Sequence, residues 1–382
     1  MIRVLHVYSY FRPDFTGEGV YLEKLAVHLL ARNIFCDVVA AVTPPPVSPQ
    51  TVVPIRDVSF FGSPGRRAFY VNMRMVLWFV RNVRKYDVIH FHAWVDRIFL
   101  YHLLAFVSRR PIVQSCTLDD SMGRHIEGYR HFYRPIVRRL GRMIDLMMAI
   151  SPKLYSDCLS AMPPQKVAYV PQGTNIPLPA PGAREQARAE WGIGRDEIVL
   201  LYVGSVSTRK DIMFLIENHA AVAACGRRVQ LMVVGPDLEV DYAAAVRRKL
   251  AESSCGEAIC LVGYLDDPSS AYRAADIFVF ASNNEGFGNV LIEAMSFGLP
   301  VVSRRLPDVT DSIVEEGGNG FLFDTAVEYV DRVKSLVLDE ALRSAVGSRA
   351  RQTVVDRFDM RGVAERYAEI YRSFAAEASG RS

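Results

Sequence analysis

Two glutamates, Glu285 and Glu293, stand eight residues apart in the segment 282–300, with a Gly-Phe-Gly turn after the first. The segment follows the apolar run Ile277–Phe280, and its pattern predicts a helix over Asn289–Ser296. A glycine turn at a helix start bares backbone N–H groups that have no partner inside the helix, which makes an anion site. Glu285 then lies on the loop ahead of the helix and Glu293 one turn inside it. One carboxylate suits a pair of sugar hydroxyls and the other a ribose diol. A diphosphate would sit between them on the amides of Gly286, Phe287, Gly288, Asn289 and Val290. The plainer alternative makes Glu285 a cap residue and Glu293 part of a solvated face. A second pair, Arg209 and Lys210, follows the run Ile198–Val203 and the turn Gly204–Thr208. Two cations there suit a nucleotide diphosphate, whose charge grows as a glycosidic bond breaks. The alternative is a solvated Arg-Lys dipeptide.

These residues need elements to hold them. Short apolar runs alternate with amphipathic stretches along the whole chain. Strands are expected at Ile2–Tyr8, Phe35–Val42, Val88–Phe91, Ile112–Cys116, Met147–Ile150 and Val167–Val170. Helices are expected at Val20–Ala31, Ala68–Lys85, Arg97–Ser108, Phe132–Met143 and from Pro152. The stretch PQGTNIPLPAPGAREQ lacks period and reads as a linker. The rhythm then restarts with strands at Ile198–Val203, Gln230–Val234, Ile259–Leu261, Ile277–Phe280 and Pro300–Ser303, and the chain closes in helices. Such apolar strands, separated by helices, indicate parallel sheets covered on both faces. The expected fold class is α/β, with two doubly wound Rossmann-like domains facing a central cleft. The domains are residues 1–177 and 178–357. Ligands in such folds bind beyond the carboxyl ends of the strands.

Composition narrows the classes. At roughly 100–200 residues per domain, 382 residues imply two domains. Half of the residues are hydrophobic, which excludes disorder, and no apolar run reaches the ~20 residues of a membrane span. The six cysteines are scattered with no Cys-x-x-Cys pair, and the N-terminus shows no signal-peptide pattern. Neither a disulfide scaffold nor a zinc site is expected, and a cytoplasmic location fits. Charge is uneven: residues 1–177 carry 22 Lys+Arg against 12 Asp+Glu, or +10, and the remainder 23 against 30, or −7. A basic half suits a negative surface, either nucleic acid or anionic membrane.

With these motifs in hand, the chain resembles the family-four retaining glycosyltransferases of the GT-B fold. The resemblance rests on AADIFVFAS followed by EGFGNVLIEAMSFGLPVV, and on VGSVSTRKD at 203–211, which includes Gly204 and is similar to the family's phosphate-binding turn. SYFRPDFTGEGVYLEKLAVHLL, DVIHFH, VPQGTNI and NGFLF resemble further family blocks. The resemblance implies a nucleotide-sugar donor, possibly a uridine nucleotide, and a front-face substitution with retained configuration. It also implies a last helix, about 358–382, that crosses back onto the first domain. In the family the loop holding Gly17 and Gly19 lies near acceptor and donor diphosphate; by themselves the two glycines read equally as a tight turn. PIVQSCTLDDS aligns with a block that commonly carries a histidine near the donor sugar; Asp119 stands there, followed by Asp120. Another departure is Ser205, where many members have arginine.

No Asp-x-Asp is present, so transfer without metal or other cofactor is expected. The acceptor is expected to be a glycan or polyprenyl-linked. Two competing classes are a non-catalytic binding subunit and a dinucleotide oxidoreductase. The latter needs Gly-x-Gly-x-x-Gly, and TGEGVYLE lacks the third glycine. Arg67, Arg74, Arg81 and Lys85 share a helix face with Trp78, opposite Phe69, Met73, Val76, Val80 and Val83. His131, Arg134, Arg138 and Arg142 form a similar stripe. These faces suit peripheral docking on anionic lipid at the inner membrane surface, and nucleic acid is not expected as a partner. His90 and His92 are assigned to opposite faces of their strand, one toward the cleft and one into the core.

Overall fold

The computed structural model describes residues 1–10, 17–42, 55–59, 66–92, 98–118, 131, 139, 141–253 and 255–380. Asp119, Asp120 and most of the helix expected at 132–143 lie outside them, as do Arg134 and Arg138. The chain divides into two compact units, Met1–Gln172 with Met360–Ser382, and Gly173–Asp359.

The first unit is built on one parallel sheet in the order β3-β2-β1-β4-β5-β6-β7. Its strands are β1 (Ile2–Tyr10), β2 (Ile34–Val42), β3 (Ile55–Ser59), β4 (Val88–His92), β5 (Ile112–Cys116), β6 (Leu146–Ala149) and β7 (Val167–Tyr169). Its helices are α1 (Gly17–Leu30), α2 (Arg66–Asn82), α3 (Ile98–Val107) and α4 (Pro152–Ala161). Ser151 caps α4, accepting from the Leu154 N–H, with proline at the first helical position. The last helix of the chain, Met360–Gly380, also packs here. Its Met360, Val363, Ala364, Tyr367, Ala368 and Tyr371 share one apolar core with Leu22, Leu25 and Leu29 of α1 and with Val4 of β1. Arg32 fixes it further through Glu365 at 2.7 Å.

The first helix of the second unit, α5 (Ala183–Glu190), begins within the stretch expected to be a linker. Its parallel sheet runs β10-β9-β8-β11-β12-β13. The strands are β8 (Ile198–Val203), β9 (Val229–Val234), β10 (Ile259–Gly263), β11 (Ile277–Phe280), β12 (Val301–Arg304) and β13 (Gly320–Phe323). Its other helices are α6 (Ile212–Ala223), α7 (Val240–Glu252), α8 (Ser269–Ala274), α9 (Asn289–Ser296), α10 (Ala326–Leu338) and α11 (Glu340–Arg357); the chain's last helix is therefore α12. Buried Ile198, Leu200, Tyr202, Leu231, Val233, Ile277 and Val279 make the sheet's contribution to the core. Asp276 anchors α5 to it: Arg184 and Arg188 meet the Asp276 carboxylate at 2.6 and 3.1 Å.

Three expectations are corrected. Gly17 and Gly19 were expected ahead of α1, but the helix begins at Gly17 itself and both lie in its first turn. On the part of α2 whose side chains are described, 74–82, the buried residues are Met75 and Phe79, continued by Val83 as expected, whereas Val80 is 52% exposed. Residues four apart share a helix face, so Val80, one position on from Phe79, is turned away from the core. Arg74, Arg81 and Lys85 are exposed as expected, and Trp78 is half-buried. His90 and His92 do not face opposite ways. Side chains alternate along a strand, so residues two apart share a face. The two rings stack with centroids 4.2 Å apart, and His6, paired with His90 across the β1–β4 ladder, completes a buried trio.

His6 Nδ1 and His92 Nε2 are 2.9 Å apart, and His90 is bonded by the Tyr371 hydroxyl and Ser115. The outer nitrogen of His92 lies 3.7 Å from Glu18. Burial holds His6 and His90 well below the ordinary imidazole value and takes His92 down to about 3. An unfolded chain regains those protons near pH 6.5, so this stability is full above that pH and is lost as pH falls. The slope is at most about 1.4 kcal/mol per pH unit for each histidine. Glu18 acts with the opposite sign. Burial pushes its carboxyl up to about 8, against hydrogen bonds from Gln172 and Thr117. The folded state then holds a proton that the unfolded state lacks, and stability declines from pH 4.5 toward 8. The melting temperature of the first unit should therefore peak near pH 6.5 and fall on both sides, and Glu18→Gln should flatten the alkaline limb. Calorimetric scans from pH 4.5 to 8.5 check this; a flat profile refutes it.

Candidate active site

In the second unit the strand order reverses between β8 and β11, the place where open α/β sheets bind ligands. Both candidate motifs emerge there. β8 leads through Gly204 and Ser205 into a 3-10 turn, Thr208–Lys210, which carries both cations. Gly204 has φ +153°, and a Cβ on it would lie 2.6 Å from the Tyr202 hydroxyl, so only glycine fits. β11 leads into the loop 281–288, which carries Glu285, and then into α9. Gly288, at φ +121°, turns the chain into that helix.

The two segments meet on one oxygen. Glu285 Oε1 accepts from Lys210 Nζ at 2.6 Å, from Arg209 at 2.9 Å and from the Ser282 hydroxyl at 2.6 Å. Arg209 also donates to the carbonyl of Asn284 at 2.7 Å, while its own carbonyl accepts from the Asn283 N–H at 2.9 Å. Burial pushes the Glu285 carboxyl up, but Lys210 and Arg209 outweigh it and hold the group below the usual carboxylate range. Burial draws the Lys210 ammonium down, against the pull of Glu285. The result is a compact ion cluster in which Lys210 and Glu285 are buried and Arg209 is partly exposed.

Glu293 lies inside α9, half-buried, and accepts from the Tyr272 hydroxyl at 3.2 Å. Tyr272 is itself fixed by stacking on Phe297. Gly286, Phe287 and Gly288 are buried between the two glutamates, and Phe287 packs edge-on against Phe358. Asn289 and Val290 open α9; the buried Asn289 Oδ1 has no hydrogen-bond partner. That oxygen is an acceptor at the helix start that a donor such as a hydroxyl could satisfy. The arrangement can hold an anion at Arg209 and Lys210 and hydroxyl groups at Glu285 and Glu293. Gly17 and Gly19 lie in the first unit, at the start of α1 beyond the end of β1. Asp119 lies outside the described residues. Among these, the only cluster of histidine, cysteine and acidic groups close enough to hold a metal ion is the buried His6, His90 and His92 trio.

The motifs did not single out Ser282, Asn283, Asp211, Tyr272 or Arg304, all of which brace this cluster. Asn283, Asp211, Tyr272 and Arg304 each meet a partner 21 or more residues away, and Ser282 joins the distant Arg209 carbonyl to the nearby Glu285; only Ser282 and Asp211 stand close in sequence to the motif residues.

Comparison with known proteins agrees with the geometry. The model of glycosyl transferases group 1 matches residues 183–353, and that of glycosyltransferase family 4 matches residues 15–176. A capsular polysaccharide biosynthesis glycosyltransferase, CapM, of Staphylococcus aureus is 29% identical over 49% of this chain and about half of its own length (49%). A D-inositol 3-phosphate glycosyltransferase of Catenulispora acidiphila is 28% identical over 78% of this chain and 74% of its own. The structure of Anabaena HepE in complex with UDP-glucose has the same fold, with a TM-score of 0.79 at 22% identity over 98% of this chain and 100% of that one. With one model on each doubly wound unit and full-length likeness to the GT-B fold, the chain belongs to the family-four, group 1 glycosyltransferases.

Proposed function

We propose that the chain is a retaining, metal-independent hexosyltransferase. It takes a sugar from a nucleotide diphosphate donor, uridine in the first instance, and passes it to a hydroxyl of a glycan or lipid-linked acceptor. Cell-surface polysaccharide synthesis is the setting that the capsular relative suggests. The observation that carries this reading is the cluster of Arg209, Lys210 and Glu285 at the switch point of the second sheet. A diphosphate entering there takes over both cations. Glu285, released from them, turns to the sugar hydroxyls, and Glu293, oriented by Tyr272, receives the ribose diol. As the bond from the anomeric carbon to the phosphate oxygen breaks, the acceptor oxygen bonds to the same face. Its proton passes to the departing phosphate. Arg209 and Lys210 meet the growing charge with no reorganisation, which is why no metal is needed.

The membrane side of the proposal rests on α2 and α3. Exposed Arg74, Arg81, Arg84 and Lys85 accompany Leu77, 48% exposed, and Val80 on α2 and its continuation. Leu103, Phe106 and Val107 are exposed on α3. Basic side chains with apolar neighbours suit the head-group region of an anionic bilayer, where each cation contributes about 1 kcal/mol. On this reading the chain works in the cytoplasm, at the inner membrane face. No helix among the described residues is long and apolar enough to cross a membrane.

The central test is donor hydrolysis across a panel of nucleotide sugars, followed by mass spectrometry of the product with a polyprenyl-linked acceptor. A uridine diphosphate hexose should be hydrolysed slowly alone and transferred with the acceptor present, and EDTA should leave the rate unchanged. Failure to bind any nucleotide sugar by calorimetry overturns the reading; an EDTA loss restored by magnesium overturns its metal-independent part.

Replacing Lys210 or Arg209 with Ala should lower kcat by about 10²–10³ and raise the donor KM less, since the cations act on charge that develops in the transition state. Steady-state kinetics decides; a rise in KM alone would confine them to ground-state binding.

Sedimentation with vesicles checks the surface. The chain should pellet with anionic vesicles at low salt and be released at high salt, where the Debye length shrinks toward ~3 Å. The double change Arg74→Glu, Arg81→Glu should weaken binding at low salt. Equal partitioning to neutral and anionic vesicles would remove the electrostatic docking and favour a soluble acceptor.

A further inference from the structure

Arg304 ends β12, beside β11 in the sheet. Its guanidinium donates through Nη2 to Asp211 Oδ2 at 2.9 Å and through Nη1 to Asn283 Oδ1. The same plane lies over the Phe214 ring, 4.8 Å from its centroid, and the Phe323 ring at 5.8 Å. The side chain is 20% exposed. Its two acceptors belong to the two segments that make the ion cluster. Asp211 closes the turn carrying Arg209 and Lys210, and Asn283 stands two residues before Glu285.

Asp211 shows what this contact costs. It occupies the N-cap position of α6, where aspartate ordinarily accepts from the first turn of the helix. Here its side chain makes no cap hydrogen bond, and its φ of 51° is left-handed, a conformation that disfavours a residue with a Cβ. The carboxylate is turned to Arg304 instead. A forgone cap and a strained backbone at one residue mark a second demand on it.

We propose that Arg304 is a positioning residue for sugar transfer: its fork clamps the cation turn to the Glu285 loop and so sets the spacing of Arg209, Lys210 and Glu285. This inference rests on the nucleotide-sugar reading of the site. Lysine cannot replace the clamp, because one ammonium on a flexible stem lacks the planar fork that serves two acceptors while stacking on rings.

The experiment measures kcat, donor KM, UDP affinity by calorimetry and melting temperature for wild type, Arg304→Ala, Arg304→Lys, Asp211→Asn and the double variant Arg304→Ala, Asp211→Asn. Arg304→Ala should lower kcat about 10- to 100-fold while donor KM stays within about threefold, the pattern of a misplaced catalytic group. Arg304→Lys should recover little of it. The double variant should be no worse than Arg304→Ala, because residues acting through one contact are not additive. Wild-type turnover in Arg304→Ala, full rescue by lysine, or additive losses would overturn the inference and leave the function reading intact. A loss of kcat that follows melting temperature across all variants would reduce Arg304 to a stability role and overturn it as well. A wild-type chain that neither binds UDP nor hydrolyses any donor would overturn the function reading and this inference together.

Discussion

A single oxygen of Glu285 accepts from a lysine, an arginine and a serine. Charges as buried as those of Glu285 and Lys210 persist only when paired, since removing one partner strands the other in a poor solvent. That requirement dictates much of the second unit. The turn after β8 and the loop after β11 must arrive at the same point, which they do because those strands are neighbours. The glycines at the strand ends permit it. Gly235, after β9, approaches Gly204 so closely that a Cβ would meet its carbonyl oxygen. Arg304 and Ser282 then lock the two segments together.

The first unit uses the same topological point differently. Its sheet reverses between β1 and β4, and the polar groups gathered there are the neutral trio of His6, His90 and His92, capped by Glu18. Among the described residues, the basic group paired with Glu18 is His92. One unit thus presents paired cations at its switch point and the other a neutral, buried histidine trio.

How much of this was legible depended on how local the signal was. β5, β8 and β11 have the bounds their apolar runs predicted, and α9 with its two glutamates was readable because strand, glycine turn and helix are consecutive. β3 carried no such run. Arg56 and Asp57 interrupt it, and it lies at the sheet edge, so pairing with β2 rather than composition makes it a strand. The face of α2 was misjudged because apolar residues surround the helix on several sides, and only packing selects Met75 and Phe79. The histidines were misassigned by ignoring the two-residue period of a strand. Arg304 gave no signal at all: its partner Asp211 is 93 residues away, and nothing in a lone arginine announces a clamp.

The first unit is discontinuous in sequence, and this orders events on the ribosome. β1 is made about 350 residues before α12, a helix that covers it. The second unit has all of its residues by Asp359, before any of α12 has been synthesised. Domains generally fold as units, those nearer the N-terminus first. Here that order is inverted, since the second unit can close while one apolar face of the first sheet still waits in water. A nascent chain therefore carries an uncovered hydrophobic surface until α12 has emerged. A premature stop just ahead of Met360 would leave a finished second unit tethered to a first one open to aggregation.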